Sequence, residues 1–196
     1  EKHVYADVLV LGGGLAGAYA AIGAARKGLK AVLVDKSDVI HSGCAGTGID
    51  HYSCPSNPAC KIEIEEYMST RGTYANYVAK YIMARDSYEV LCELERMGVK
   101  VRDTEDEFKG SDFRDEATKL LFSFDYENRQ MTRIWGTGLK PMLAKECRRL
   151  GVEVHNRVMA TGLLSEGGEQ GNRVIGAVGL NTRTGECIVF HAKAVI

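Results

Sequence analysis

The sequence lacks any long uninterrupted apolar segment, because Lys, Asp or Gly breaks its longest apolar runs. A membrane-spanning helix needs about 18 consecutive apolar residues, so we expect no direct membrane span. The N-terminus has no basic segment followed by an apolar one. We therefore expect no secretory signal and a cytoplasmic location.

The sequence also lacks an excess of one charge, since 25 Lys and Arg residues stand against 26 Asp and Glu residues. The net charge of −1 provides no general attraction to nucleic acid or acidic lipid. We therefore expect no nucleic-acid partner. Internal repeats and low-complexity segments are absent too, whereas glycine is abundant, with 22 residues.

The six cysteines are scattered and suggest neither disulfides nor a cluster. Cys44, Cys54 and Cys60 have gaps that match no iron–sulfur pattern, so we predict no metal site. Cys92 and Cys147 fall inside helical patterns and are expected to act as small buried hydrophobic residues. A cytosolic protein normally keeps such thiols reduced.

The first 35 residues have the pattern of a strand, a tight turn, a helix and a second strand. Residues 8–11 and 31–34 are continuous apolar runs, typical of parallel strands that are covered on both faces. Residues 16–27 are rich in alanine, and Gly28 is expected to end the helix. The pattern predicts an α/β fold with a central parallel sheet.

The remaining chain is predicted as three segments within one domain of residues 1–196. Residues 36–60 form a loop, residues 61–135 a helical and hairpin insertion, and residues 136–196 a returning helix, a strand and a β-meander flank. The apolar run at residues 194–196 is expected to be a buried strand of the sheet, and the chain is expected to be part of a longer protein. The individual predictions are helices at 61–69, 74–97 and 139–150, strands at 99–102 and 152–159, a surface loop at 103–116, a hairpin within 119–136 and a meander from 172 with its turn at Thr184 and Gly185.

Gly12, Gly14 and Gly17 form a G-x-G-x-x-G motif between the first strand and the first helix. In a dinucleotide-binding unit the first glycine permits the tight turn, the second lets the backbone approach a pyrophosphate, and the third allows close helix–strand packing. The start of the helix, at Leu15 and Ala16, then offers free N–H groups to phosphate. Asp35, which ends the second strand, is placed to accept hydrogen bonds from ribose hydroxyls.

The segment after Asp35 indicates which dinucleotide is bound. Residues 42–48 carry almost no bulky side chain, and such a run offers backbone donors without steric obstruction. We interpret it as a platform for the flavin of FAD; an ordinary surface loop is the alternative. The predicted contacts of this segment are Lys36, Ser37, His41, Ser42, Gly43, Cys44, Ala45, Gly46, Thr47 and Gly48.

The stretches "VLVLGGGLAGAYAAIGAARKG" and "VLVDK" resemble the FAD-binding domain of the fumarate reductase/succinate dehydrogenase flavoprotein superfamily. The stretches "HSGCAGTGI", "GTGLKPMLAKE" and "NRVIGAVGLNTRTGECIVFHAKAVI" are most similar to the flavoprotein subunit of adenylylsulfate reductase. The resemblance implies a Rossmann-like FAD-binding domain at the N-terminal part of a larger flavoprotein. It also implies an iron–sulfur partner and a small-molecule substrate.

The same resemblance assigns further residues. His41 aligns with a histidine that some members bond covalently to the flavin, but the following Ser42-Gly43 fits the noncovalent type better, so we predict noncovalent FAD. Val158 is implied as a backbone contact for adenine. Asp50 and His51 are weak catalytic candidates as a proton-handling pair, the alternative being a helix-capping aspartate beside a surface histidine.

We therefore expect an FAD-dependent oxidoreductase, whose 196 residues do not turn over substrate alone because the family's capping domain lies elsewhere. Two other hypotheses remain open from the residues: an NAD-dependent dehydrogenase and a nonenzymatic nucleotide-binding scaffold. The substrate is open as well, with fumarate, succinate and adenylylsulfate as candidates.

Overall fold

The computed structural model describes residues 2–69 and 74–196. It divides the chain into two compact units, one of Glu1–Thr47 with Lys140–Ile196 and the other of Gly48–Leu139. The second unit contains the predicted 61–135 insertion, of which residues 70–73 lie outside the described residues. Within the described ranges, no helix has both the length and the apolar character needed to cross a membrane.

The secondary structure alternates strands with helices at the start and ends in strands alone. The helices are α1 Leu15–Arg26, α2 Ile64–Ser69, α3 Tyr77–Arg96 and α4 Leu139–Arg149. The strands are β1 Lys2–Leu11, β2 Ala31–Asp35, β3 His51–Ser53, β4 Leu121–Phe122, β5 Met131–Arg133, β6 Glu153–Asn156, β7 Val158–Ser165, β8 Val174–Asn181 and β9 Cys187–Val195.

The first unit is built on one sheet with the strand order β6-β2-β1-β9-β8-β7. Its centre is parallel, since β1 pairs in parallel with β2 and β9, and β2 pairs in parallel with β6. The pairs β7–β8 and β8–β9 are antiparallel and form the predicted meander, with Gly185 in its turn at φ +73°. The predicted α/β fold with a parallel centre is confirmed.

The core of this unit lies where the two kinds of pairing meet. Leu9, Val32 and Val34 from the parallel strands pack in one cluster with Val158 and Phe190 from the meander. All are at most 2 % exposed, and burying one such side chain stabilises the fold by about 1.5–3 kcal/mol. This cluster holds the carboxyl ends of β1 and β2 in place, where the candidate site lies.

Two predictions for this unit are wrong in detail. The predicted strand at 152–159 is two strands, because Arg157 between β6 and β7 has φ +62° and leaves extended geometry. The run at 194–196 belongs to a strand as predicted, because β9 extends to Val195 and Leu11 N donates to Ile196 O at 2.8 Å, but its side chains are not buried. It is held there by backbone hydrogen bonds, whereas the Ile196 side chain is 62 % exposed.

The second unit contains an antiparallel sheet with the order β3-β5-β4 and the helices α2 and α3. The strands β4 and β5 confirm the predicted hairpin. The sheet also includes β3, which falls inside the predicted loop at 36–60 and corrects it. The predicted strand at 99–102 is absent: Val99 and Val101 are buried, but Val99 N donates to Leu94 O at the end of α3 and pairs with no strand.

The large apolar side chains of helix α3 are buried near its C-terminal end and exposed near its N-terminal end. Leu91 and Leu94 are buried, whereas Val78 and Tyr81 are exposed. Helical periodicity thus identifies an apolar face without showing what covers it.

The predicted surface loop at 103–116 contains a buried ion pair. Arg114 Nε donates to Asp103 Oδ2 at 2.9 Å, and both side chains are at most 1 % exposed. The guanidinium also pairs with Asp106 and Glu116, so one cation holds several acidic side chains of the loop. The prediction of an ordinary surface loop is thus wrong at these positions, because a run of charges does not show which of them pair internally.

Candidate functional site: the first glycine turn

The turn between β1 and α1 places the three glycines of the motif in three different environments. Gly12 has φ +106°, a conformation that favours glycine, and its N–H donates to Val34 O at 2.8 Å. A Cβ on Gly17 would lie 1.8 Å from Gly12 O, so glycine is needed there for helix packing. A Cβ on Gly14 would meet nothing nearer than Gly43 Cα at 3.9 Å. The protein's own packing therefore does not require glycine at position 14, and the space beside it is free for a ligand.

The start of α1 lies next to this space. Gly14 is the N-cap and provides no side-chain cap, while Ala16 is exposed in the first turn. The first N–H groups of a helix have no acceptor within the helix, and they concentrate partial positive charge. The N–H groups of Leu15, Ala16 and Gly17 consequently suit the oxygens of a phosphate.

Gly13, which sequence reasoning passed over, is where the surrounding side chains converge. Its N–H donates to Asp35 Oδ2 at 2.6 Å, and its carbonyl accepts from Ser42 Oγ at 2.7 Å. The same carbonyl accepts a hydrogen bond from Lys140 Nζ. Both polar groups of Gly13 are thus engaged, and these hydrogen bonds connect the turn to β2, to the following loop and to α4.

Asp35 and Lys140 are charged groups buried at this turn. Asp35 is 5 % exposed, and its second oxygen, Oδ1, accepts from Ser37 N at 2.7 Å. Lys140 is 1 % exposed. Burial lowers the pKa of the Lys140 ammonium, and the negative charge of Asp35 acts in the opposite direction. Lys140 was not predicted as a site residue; its only signal was its place in the Lys-Pro segment of the family resemblance.

The small residues after Asp35 have a reason within the protein. A Cβ on Gly43, which has φ +79°, would lie 2.9 Å from Gly14 Cα. A Cβ on Gly46 would lie 1.9 Å from His41 O, and Gly48 has φ +101°. Close backbone approach thus requires glycine here whether or not a ligand is present. Contact of residues 42–48 with flavin remains a prediction.

The other predicted contacts divide by exposure. Four have side chains that solvent or a ligand can reach: Lys36, His41, Cys44 and Thr47. Ala45 and Val158 are each 2 % exposed, and the Val158 side chain belongs to the core cluster. These two positions can offer a ligand backbone groups at most, as the prediction for Val158 requires.

In the second unit, Asp50 and His51 form the predicted pair at the start of β3. His51 Nδ1 is hydrogen-bonded to Asp50 Oδ1, and this bond lowers the pKa of the Asp50 carboxyl. Both side chains are exposed, and Asp50 precedes a strand, so the alternative of a helix-capping aspartate is wrong.

An unusual aromatic residue lies beside this pair. Phe124 is 78 % exposed and has φ +63°, which costs a residue with a Cβ about 1–2 kcal/mol. Its ring meets the His51 ring edge-on, with centroids 5.3 Å apart. A cavity of about 290 Å³ adjoins it, lined among others by Asp50, Tyr126 and Arg133. The lining combines aromatic rings with one acid and one base.

Comparison with known proteins identifies the family. The family model described as an FAD binding domain matches residues 7–196, nearly the whole chain. The chain belongs to this family of FAD-binding domains. The resemblance found in the sequence is thereby confirmed, and so is FAD as the cofactor.

Relatives of this FAD-binding domain are subunits of reductases. The chain is 27 % identical over 190 residues to the acrylate reductase flavoprotein subunit of Shewanella woodyi, covering 94 % of this chain and 34 % of the relative. It is 27 % identical over 210 residues to one subunit of the fumarate reductase (CoM/CoB) of Methanothermobacter marburgensis, covering 100 % of this chain and 35 % of the relative. The chain therefore spans about a third of the length of these curated relatives.

Among solved structures, adenylylsulfate reductase from Archaeoglobus fulgidus is similar at 25 % identity and a TM-score of 0.74. The match covers 99 % of this chain and 30 % of that chain. Its similarity extends over both compact units and supports the fold derived above.

The residues of the FAD-binding domain fit the cofactor. Gly14 leaves open space at a helix start whose N–H groups suit phosphate, and a buried acid ends the adjacent strand. The cysteines are all free, and among residues 2–69 and 74–196 no three His, Cys, Asp or Glu side chains form a group that could hold a metal ion.

Proposed function

We propose that the chain is the FAD-binding part of a flavoprotein subunit that exchanges electrons with a small-molecule substrate and an iron–sulfur partner. Bound FAD supplies the redox chemistry by accepting or giving a hydride. The observation that carries the proposal is Gly14, whose missing side chain leaves space that no other part of the turn occupies. The named relatives act on acrylate and fumarate, so we propose a small unsaturated acid as the substrate class.

In this proposal the glycine turn, the loop after β2 and the start of β7 bind and orient the cofactor. The N–H groups of Leu15, Ala16 and Gly17 hold the pyrophosphate, and Asp35 accepts from ribose. Residues 42–48 lie along the flavin, and the Val158 backbone contacts adenine. Ser42 maintains the turn by its 2.7 Å hydrogen bond to Gly13 O.

For the second unit we propose that Asp50 and His51 handle a proton on the substrate side. The hydrogen bond to Asp50 orients the His51 ring and leaves its Nε2 as the atom that gives or takes the proton. Arg133 lines the adjoining cavity with Asp50, and a guanidinium suits the carboxylate of an acid.

A spectroscopic experiment tests the proposal. The purified chain, supplied with FAD, is expected to show visible flavin absorption that dithionite bleaches. After acid precipitation the colour is expected in the supernatant, because we predict noncovalent binding. Colour that stays with the precipitate would contradict this and make His41 the first attachment candidate. A chain that retains no flavin, or that binds NAD instead, would refute the function.

The substrate class is tested by reoxidation of the dithionite-reduced protein with acrylate, fumarate or adenylylsulfate. The 196 residues alone are expected to give only background rates, whereas the complete subunit with its partner is expected to reduce an unsaturated acid. Preference of the complete subunit for adenylylsulfate would overturn the acid assignment. Full turnover by the 196 residues would show that all the catalytic groups lie within them.

A further inference from the structure

Lys140 is an unusual side chain for the interior of a small domain. A lysine is almost never fully buried unless its charge is paired, yet Lys140 is 1 % exposed. Its ammonium donates to Gly13 O, and the negative charge of Asp35 acts on it. The next lysine of α4, Lys145, is exposed as usual. Burial at position 140 therefore needs a reason that helix α4 alone does not provide.

A reason for the burial of Lys140 lies on the ligand side of the turn. The buried carboxylate of Asp35 and the pyrophosphate of FAD would both place negative charge around Gly13 and the start of α1. In a poorly solvated site such charges repel each other strongly. The Lys140 ammonium is placed to offset this repulsion from beneath the turn while its hydrogen bond orients the Gly13 carbonyl.

We propose that Lys140 is a positioning residue for FAD: its buried positive charge offsets the negative charge of Asp35 and so allows the glycine turn to hold the pyrophosphate. The alternative is a purely structural role, in which Lys140 only ties α4 to the turn through a hydrogen bond. The two roles differ in their dependence on protonation, because only the first requires that the amine stay charged.

The groups that act on the Lys140 ammonium are Asp35, at the end of β2, and Cys147, two turns further along α4. Burial raises the pKa of the Cys147 thiol to about 11, so this group stays neutral until strongly alkaline pH. Burial lowers the pKa of Lys140, so the lysine loses its proton at a lower pH than a solvated lysine does. FAD affinity is therefore expected to fall as the pH rises through the pKa of Lys140.

The experiment measures the Kd of FAD from neutral to alkaline pH by flavin fluorescence. Lys140→Met is expected to weaken binding by about tenfold or more at neutral pH, where the wild-type lysine is charged. The gap between the two proteins is expected to close as the pH rises. The titration of the flavin itself is common to both and cancels in the comparison. Lys145→Met removes the same charge from an exposed position of the same helix and is expected to behave as the wild type does.

A second variant keeps the inference testable if Lys140→Met does not fold. Lys140→Arg retains the charge at every pH, so its Kd is expected to depend less on pH than the wild-type value. Equal pH dependence of the wild type, Lys140→Met and Lys140→Arg would refute the inference and leave Lys140 a structural role. The inference rests on FAD binding at this turn: if the wild type binds no FAD the proposed function fails, whereas tight wild-type binding with no effect of Lys140 refutes only the inference.

Discussion

Replacing Gly14 or Gly17 by alanine adds one methyl group to the same turn, but we expect a large loss of stability for Gly17→Ala and almost none for Gly14→Ala. The new Cβ of Gly17→Ala would lie 1.8 Å from Gly12 O, and a backbone atom cannot give way without opening the turn. Overpacking costs about 1–3 kcal/mol, and an obstacle in the backbone puts this case at the upper end. We therefore expect the free energy of unfolding to fall by about 3 kcal/mol.

Gly14→Ala meets no such obstacle. Its nearest neighbour would be Gly43 Cα at 3.9 Å, and φ −64° with ψ −171° is ordinary extended geometry for alanine. Alanine is a poorer N-cap than glycine by up to about 1 kcal/mol. Against this, the smaller entropy of the unfolded chain stabilises the variant by about 0.4–1 kcal/mol. The free energy of unfolding is thus expected to stay within about 1 kcal/mol of the wild-type value.

The effect of Gly14→Ala is expected in FAD binding instead. Its methyl group would enter the space assigned to the pyrophosphate and displace at least two hydrogen bonds to a charged acceptor, worth about 1.5–3 kcal/mol each. That loss corresponds to at least about a hundredfold higher Kd. Urea unfolding of the FAD-free proteins measures stability without the contribution of ligand binding, and flavin fluorescence measures the Kd. Wild-type FAD affinity in Gly14→Ala would refute the assignment of this space, and destabilisation equal to that of Gly17→Ala would refute the packing argument.

Three further predictions concern parts of the chain outside the turn. Phe124→Gly is expected to raise the free energy of unfolding in urea by up to about 1 kcal/mol. Glycine relieves about 1–2 kcal/mol of strain at φ +63°, which exceeds the roughly 0.4–1 kcal/mol of unfolded-chain entropy that it adds, and the exposed ring loses little packing; destabilisation would contradict this. Arg114→Met is expected to lower the thermal unfolding temperature most at neutral pH. Burial opposes ionisation of Asp103, but backbone hydrogen bonds and Arg114 outweigh it and lower its pKa, so this contribution is present above the ordinary pKa of aspartate and is lost as the pH falls through the lowered one. A loss that is the same at every pH would count against the ion pair. With a thiol reagent, exposed Cys44 is expected to react in the native protein. Cys54 is expected to react only after unfolding, because burial raises its pKa to about 12. Rapid reaction at Cys54 in the native Cys44→Ser variant would contradict the burial of Cys54.

The predictions from sequence were most accurate where a short stretch determines its own conformation. The strand, turn, helix and strand from β1 to β2 follow from apolar runs and glycines that lie within one another's reach along the chain. Lys140 could not be predicted in this way, because it lies 127 residues from Gly13. The sequence alone does not distinguish a buried lysine from an exposed one. Only the packing of α4 against the turn makes Lys140 buried while Lys145 is exposed.

The strand predictions that were wrong failed for a related reason. Val99 and Val101 alternate as a strand would and both are buried, yet Val99 N donates to Leu94 O and Lys100 O accepts from Trp135 N, so residues 99–102 form no strand. Conversely, β3 is short and polar, and it exists because β5 lies beside it. The pattern of one segment indicates which side chains share a face, whereas a strand also requires a second segment that the pattern does not contain.

The small residues after Asp35 show why glycine alone is ambiguous evidence for a ligand. A glycine is required wherever something occupies the place of its Cβ, and that object can be the protein or a cofactor. At Gly43 and Gly46 the object is backbone, 2.9 Å and 1.9 Å away. At Gly14 the nearest such atom is Gly43 Cα, at an ordinary contact distance of 3.9 Å from the place of the Cβ, and the backbone conformation is an ordinary one, so the protein itself gives no reason for glycine. The case for a bound cofactor is therefore carried by Gly14 with the N–H groups of α1 beside it, and the glycines of the next loop support the cofactor only indirectly, by letting that loop pack against Gly14.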